Sequence, residues 1–210
     1  MTKENITAFF PTLQMTVKVV HNMSIPENRR EILKYLIIYI QERLDLGQEV
    51  NLTFVCTHNS RRSQFSQVWA QAAANFYGVK VNSFSGGVEV TTFNNSAITT
   101  LKNNGFDINL SGIDNPKCEV LMSHDLEPLI MFSKFFNDPI NPVNNFASVM
   151  TCSDADENCP VIPGSQKRFS IPYQDPKMFD GLRIAPTKYH ECSIQVASEM
   201  FYIFSKLKNK

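Results

Sequence analysis

One stretch constrains the fold more than any other: a strand, a short polar loop and a helix run together between residues 50 and 78. Val50-Asn-Leu-Thr-Phe-Val55 is rich in β-branched and aromatic residues and reads as a strand. The small and polar residues Cys56 to Ser63 follow, and Gln64 to Tyr77 then reads as a helix stopped by Gly78. Val79 to Phe84 reads as a second strand. Two strands joined through a helix run parallel, because the crossover carries the chain back to the end where it began. Further on, residues 94–104 read as a helix closed by Gly105, Phe146 to Met150 as a third core strand, Lys167 to Ile171 as a fourth, and Tyr189 to Leu207 as the last helix. The order predicts an α/β domain around a mostly parallel sheet.

Two segments stand outside that pattern. Residues 1–48 read as a helical extension. Ser24-Ile-Pro-Glu27 has the form of a capping box, Ile32, Leu33, Leu36, Ile37, Ile40 and Leu44 share one helix face, and Gly47 is a stop signal. That face packs either on the domain or on a second copy of the chain. Within residues 49–210, an insertion at about 113–145 carries two apolar runs, Cys118 to Met122 and Pro128 to Phe132, which read as a β-hairpin that extends the sheet or lids the site.

Composition narrows the function. The 210 residues suit one domain with a small appendage, and Lys+Arg and Asp+Glu are equal at 20 each. A balanced charge removes the main electrostatic argument for nucleic-acid or acidic-membrane partners. No run of about 18 apolar residues is present and the first residues lack a signal-peptide pattern, so a cytoplasmic protein is expected. In a reducing compartment the five cysteines serve packing, metal binding or catalysis rather than a disulfide scaffold.

Cys56-Thr-His-Asn-Ser-Arg-Arg62-Ser63 is the informative octet. A loop between a strand end and a helix N-terminus presents backbone N–H groups and a partial positive charge to a tetrahedral oxyanion. Cys56 at the centre of those donors would be held as a thiolate nucleophile, Arg62 would offer a planar fork to two oxygens of the anion, and the Ser63 hydroxyl would support the sulfur. A buried strand-end thiol beside a solvated arginine is the bland alternative, and the strand-before, helix-after context argues against it. Asp175-Pro176 places a carboxylate on a loop after the fourth strand, where most such pairs are simple turns. Cys152-Ser-Asp-Ala-Asp-Glu-Asn-Cys159-Pro follows the third strand directly, so Cys152 should emerge near Cys56 at the shared end of the sheet. Three thiols within reach of each other form a relay in which one attacks, one resolves and one carries the disulfide outward. The seven-residue spacing with no neighbouring His is poor zinc geometry, and no metal is expected there. Cys118 and Cys192 read as buried packing residues.

The octet resembles the phosphate-binding loop of the low-molecular-weight protein tyrosine phosphatase superfamily. The Cys152–Pro160 segment resembles the resolving loop of the thioredoxin-coupled arsenate reductases that share its fold, and Ser85-Gly86-Gly87-Val88-Glu89 matches as well. The resemblance covers about residues 50–112 and 146–208 and fails over 1–48 and 113–145. It implies a three-layer, four-stranded, mostly parallel sheet flanked by helices. It implies Cys56 as nucleophile, residues Thr57, His58, Asn59, Ser60, Arg61 and Arg62 around the oxyanion, Asp175 as the acid that protonates the leaving group, and Cys152 and Cys159 as resolving thiols. Many members have Gly where His58 stands and Cys where Arg61 stands. His58 is expected to restrict the loop or touch the ligand, and Arg61 to add positive charge at the rim. Paired aromatics near the acid mark the tyrosine-specific members, whereas Tyr173 stands alone. No metal or organic cofactor is implied beyond a weak potassium site near Asn59, where Gln67 replaces the expected Glu. The activity implied is reduction of arsenate to arsenite with thioredoxin as partner. The alternatives are a phosphomonoesterase or tyrosine phosphatase using a phosphocysteine at Cys56, and a non-catalytic oxyanion-binding module.

Overall fold

The central strand of the molecule is buried along its whole length, Asn51 and Thr53 included. In the computed structural model, which describes residues 9–158 and 161–208, this is β1 (Val50–Cys56). It lies between β2 (Val81–Gly87) and β6 (Phe146–Met150), with β7 (Ser165–Ser170) beyond β6, in the order β2-β1-β6-β7. All three pairings are parallel. Cys56 is in register with Gly87 and Val55 with Met150, so three strands end at one edge and deliver their following loops to one place.

Helices flank this sheet: α1 (Pro11–His21), α2 (Glu27–Asp45), α3 (Arg62–Tyr77), α4 (Asn95–Asn103), the short α5 (Ser153–Asn158) and α6 (Ala185–Ser205). A 3-10 turn spans Pro176–Phe179. The three-layer α/β architecture agrees with the expectation. Trp69 on α3 is fully buried, sits edge-on to Phe106 at 4.9 Å, and donates its indole N–H to Ser193 Oγ on α6 at 2.9 Å. Its apolar area and its single polar atom are thus both satisfied, which locks α3 to α6.

The N-terminal helices share this core. Leu13, Val17, Val20, Leu33, Leu36 and Ile40 belong to the same buried cluster as Leu52 and Phe54. Arg29 on α2 pairs with the buried Glu199 on α6 at 2.6 Å, donates to Pro172 O, and lies over the Tyr173 ring. The apolar face of α2 therefore packs on the domain. Its start differs from the sequence expectation. Pro26 is the N-cap, with no side-chain cap bond, so the Ser24–Glu27 capping box does not form. Pro26 keeps the residue before it, Ile25, out of the α region, so the helix does not begin after Ser24 and starts at Glu27.

A separate antiparallel sheet joins β3 (Asp107–Ser111), which precedes the insertion, to β4 (Lys117–Leu121) and β5 (Leu129–Met131) within it. The hairpin is present, and β3 is an added strand. Asp107-Ile-Asn-Leu-Ser111 alternates polar and apolar residues, and of these side chains Ile108 is buried. The chain beyond β5 meets the main sheet at one bridge, Gly87 to Phe135.

Candidate active site

The loop between β1 and α3 is built around Asn59, whose φ of 45° lies in the left-handed region that Asn tolerates better than most residues. Its side chain donates to Ser63 Oγ at 2.9 Å and accepts from Lys134 N at 3.0 Å. Ser63 Oγ lies 3.0 Å from Cys56 Sγ. One buried asparagine thus ties the loop's bend, the serine beside Cys56 and the inserted segment into a single unit.

The loop's carbonyls turn outward. Thr57 O accepts from Glu89 N, His58 O from Ser133 Oγ, Asn59 O from Gln64 Nε2 and Ser60 O from Asn94 N. In a planar trans peptide the C=O and the next N–H point opposite ways. The N–H groups of residues 58–61 are therefore directed inward, toward the side where an oxyanion would sit above Cys56. Cys56 itself is buried at the end of β1.

Arg62 donates from Nη2 to Asp175 Oδ2 at 2.7 Å and from Nη1 to Tyr173 O at 3.2 Å. The other Asp175 oxygen accepts from Lys177 N and caps the 3-10 turn. Asp175-Pro176 forms the turn, and the turn orients the Asp175 carboxylate beside the Arg62 guanidinium. Tyr173 is buried against Arg29, so it offers no aromatic surface to a substrate.

Cys152 lies in one buried cluster with Val55, Cys56 and Met150. Its sulfur is 3.5 Å from Thr57 Oγ1 and accepts from Ala155 N, while Thr57 Oγ1 donates to Asp154. Cys159 lies outside the described residues. Burial pushes the Cys118 thiol up to about 11 and the Cys192 thiol up to about 12, which makes both poor nucleophiles at neutral pH.

Two loop residues depart from expectation. Arg61 is not a free charge at the rim: it donates to Tyr189 Oη at 2.7 Å and to Asp180 Oδ2 at 3.1 Å, and its side chain is 12% exposed. A carboxylate within reach neutralises it. His58 pairs with Glu89 at 3.2 Å on the solvent side. Glu89, Ser133, Lys134, Asp180 and Tyr189 all support the site, and no local spacing in the sequence assigns them to it.

The potassium expectation meets a poor donor set. Both polar atoms of Asn59 are engaged, Gln67 Nε2 donates to Ser83 O, and Gln67 Oε1 is the buried oxygen left over. A hard cation wants several oxygens, carboxylates above all, and these residues supply one neutral amide oxygen. Lys134, which bonds Asn59 through its backbone, also buries an ammonium without a hydrogen-bond partner over the Phe132 ring. Burial lowers it to about 8, with Asp138 partly opposing. Between about pH 8 and the ordinary lysine value the unfolded chain holds a proton that the folded chain does not, so this group's destabilising effect is full below pH 8 and fades above it. Lys134→Met is expected to raise the unfolding free energy at pH 7 by about 1–3 kcal/mol, a gain that shrinks toward pH 10. Urea titrations at the two pH values read this directly.

No family model matches the chain. Among curated proteins, arsenate reductase 2 of Staphylococcus saprophyticus is 32% identical over 123 residues, 59% of this chain and 76% of that protein. Arsenate reductase of Staphylococcus aureus is 30% identical over the same length and shares. The chain belongs to the arsenate reductase family. Its fold is that of the low-molecular-weight protein tyrosine phosphatases. The phosphatase of T. tengcongensis superposes with a TM-score of 0.53 at 17% identity, covering 76% of this chain and all of that one. A YwlE mutant from Bacillus subtilis superposes at 0.50 and 15% identity, covering 77% of this chain and all of its own. Membership of the arsenate reductase family makes the chain an enzyme, and its fold is the one these phosphatases share. None of its described helices is long and apolar enough to cross a membrane.

Proposed function

We propose that this chain reduces arsenate to arsenite through Cys56, Cys152 and Cys159, with thioredoxin as the dithiol donor. The observation that carries the reading is the packing of Cys152 in one buried cluster with Cys56, its sulfur against the Thr57 hydroxyl. Arsenate docks on the inward N–H groups and the Arg62 fork. The Cys56 thiolate attacks arsenic, an As–O bond breaks, and Asp175 supplies the proton with which the oxygen leaves as water. The Cys152 thiolate then attacks the Cys56 sulfur. The S–As electron pair stays on arsenic, which falls from As(V) to As(III) and departs as arsenite, leaving a Cys56–Cys152 disulfide. Cys159 attacks Cys152, frees Cys56 and forms Cys152–Cys159, which a thioredoxin dithiol reduces.

Phosphate and arsenate have nearly the same shape and charge, so the loop discriminates weakly between them. Selection falls on the redox step, which phosphorus does not follow. Phosphomonoester hydrolysis would use Cys56, Arg62 and Asp175 in the same way and has no use for Cys152. The deciding experiment is arsenate-dependent NADPH oxidation in the presence of thioredoxin and thioredoxin reductase, run beside aryl phosphate hydrolysis. Turnover with arsenate that vanishes in Cys159→Ser is the expected result. Aryl phosphate hydrolysis without any arsenate turnover would make the chain a phosphatase instead.

A further inference from the structure

Two consecutive arginines leave the nucleophile loop, and each grips one end of the same segment. Arg62 holds Asp175 at the start of the 3-10 turn, and Arg61 holds Asp180 at its end. The second grip is a closed three-membered network. Arg61 Nε donates to Tyr189 Oη at 2.7 Å, Tyr189 Oη donates to Asp180 Oδ1 at 2.8 Å, and Arg61 Nη2 reaches Asp180 Oδ2 at 3.1 Å. Tyr189 is fully buried on α6, and burial pushes its hydroxyl up to about 12, so it keeps the proton it donates. Its position is set by the helix, not by the loops it joins.

Between the two grips Pro176 is buried and Lys188 of α6 lies over the Phe179 ring, while Lys177 and Met178 face solvent. Backbone bonds run from Met178 to Asp175 and from Asp180 to Lys177. Four residues separate Asp175 from Asp180. Packing at Pro176 seats the turn, and the grip on Asp180 fixes its far end, so that the carboxylate keeps its angle when Arg62 turns to an anion. That moment is the one at which Asp175 has to deliver its proton.

We infer that Arg61, with Asp180 and Tyr189, is a positioning device that holds the Asp175 turn against the nucleophile loop while Arg62 is occupied by substrate. The inference rests on the reading of Cys56 as nucleophile and Asp175 as acid, and it deepens that reading. Arg61 touches no reacting atom. It acts through Asp175, and its effect should scale with how much the leaving group needs a proton.

The test is kcat/KM for a series of aryl phosphates in wild type, Arg61→Ala, Asp180→Asn and Asp175→Asn. For phenyl phosphate, a poor leaving group, Arg61→Ala and Asp180→Asn should each lose about tenfold, and for 2,4-dinitrophenyl phosphate less than about twofold. Asp175→Asn should show the same slope, steeper. Hydrogen exchange of amides 177–182 should quicken in both strap variants. A uniform loss across the series, or no loss, in a protein whose wild type is active overturns the strap and leaves the catalytic reading standing. Unchanged exchange over 177–182 overturns it as well, whatever the activity. A wild type inert toward every ester and toward arsenate overturns the catalytic reading, and the strap falls with it.

Discussion

Replacing Cys152 by serine is expected to abolish steady-state arsenate turnover, by at least about 10³-fold, while aryl phosphate hydrolysis stays within about threefold of wild type. The split follows from where the residue sits. Its sulfur touches Thr57 Oγ1 and accepts Ala155 N, and a serine oxygen can take over both contacts, so the loop keeps its shape. What serine cannot do is attack the Cys56 sulfur, because a hydroxyl at neutral pH is neither ionised nor thiophilic. The arsenic adduct on Cys56 then has no partner to take its sulfur and no route to As(III). Phosphocysteine hydrolysis needs only water and the acid, and goes on. Equal loss of both activities would mean that Cys152 serves the loop's structure, and surviving arsenate turnover would mean that another thiol resolves the adduct. Cys118→Ser and Cys192→Ser are the controls, since burial holds both thiols protonated.

The parts of this site that could be read in the sequence are those whose physics is local. A strand end, a polar octet and a helix start are consecutive, so Cys56, Arg62 and Ser63 declare themselves by spacing alone. Cys152 is the next most legible, because it follows a strand directly and parallel strands end together. Illegible residues act across the chain: Arg61 finds its partners 119 and 128 residues away, and Ser133 reaches His58 from 75 residues off. At Arg61 the sequence invited the wrong sign of conclusion, since an arginine added to an anion loop looks like added charge until its carboxylate is found. At Ser24 the failure was local. A capping pattern set the start of α2 at Ser24, but a proline keeps the residue before it, Ile25, out of the α region and moves the start to Glu27. β3 carries a period-two alternation, Asp107-Ile-Asn-Leu-Ser111, but five residues with Leu110 exposed give a weak signal between Gly105 and Gly112.

The second large effect is expected at Gly87, which ends β2 against the nucleophile loop. A Cβ there would stand 2.5 Å from Glu89 O and 2.8 Å from both Asn59 N and Thr57 O. All three are backbone atoms, so no side chain can swing aside, and the loop or the strand end has to shift. Thr57 O is also the acceptor for Glu89 N, so the methyl group would push on the bond that turns this carbonyl outward. Losing that orientation moves the following N–H away from the anion. A displacement on the order of 1 Å at a catalytic site costs about 100-fold in rate, and Gly87→Ala is expected to lose that much in kcat/KM for arsenate and aryl phosphate alike. Gly86→Ala presses on the inserted segment instead: its Cβ would overlap the backbone of Phe136, which packs against the cluster that holds Cys56. That overpacking should cost about 1–3 kcal/mol, a fall of roughly 2–12 °C in Tm for a chain of this size. A Gly87→Ala protein with normal kinetics would show that the loop does not lean on the end of β2, and that its geometry is held by Asn59 and the inserted segment alone.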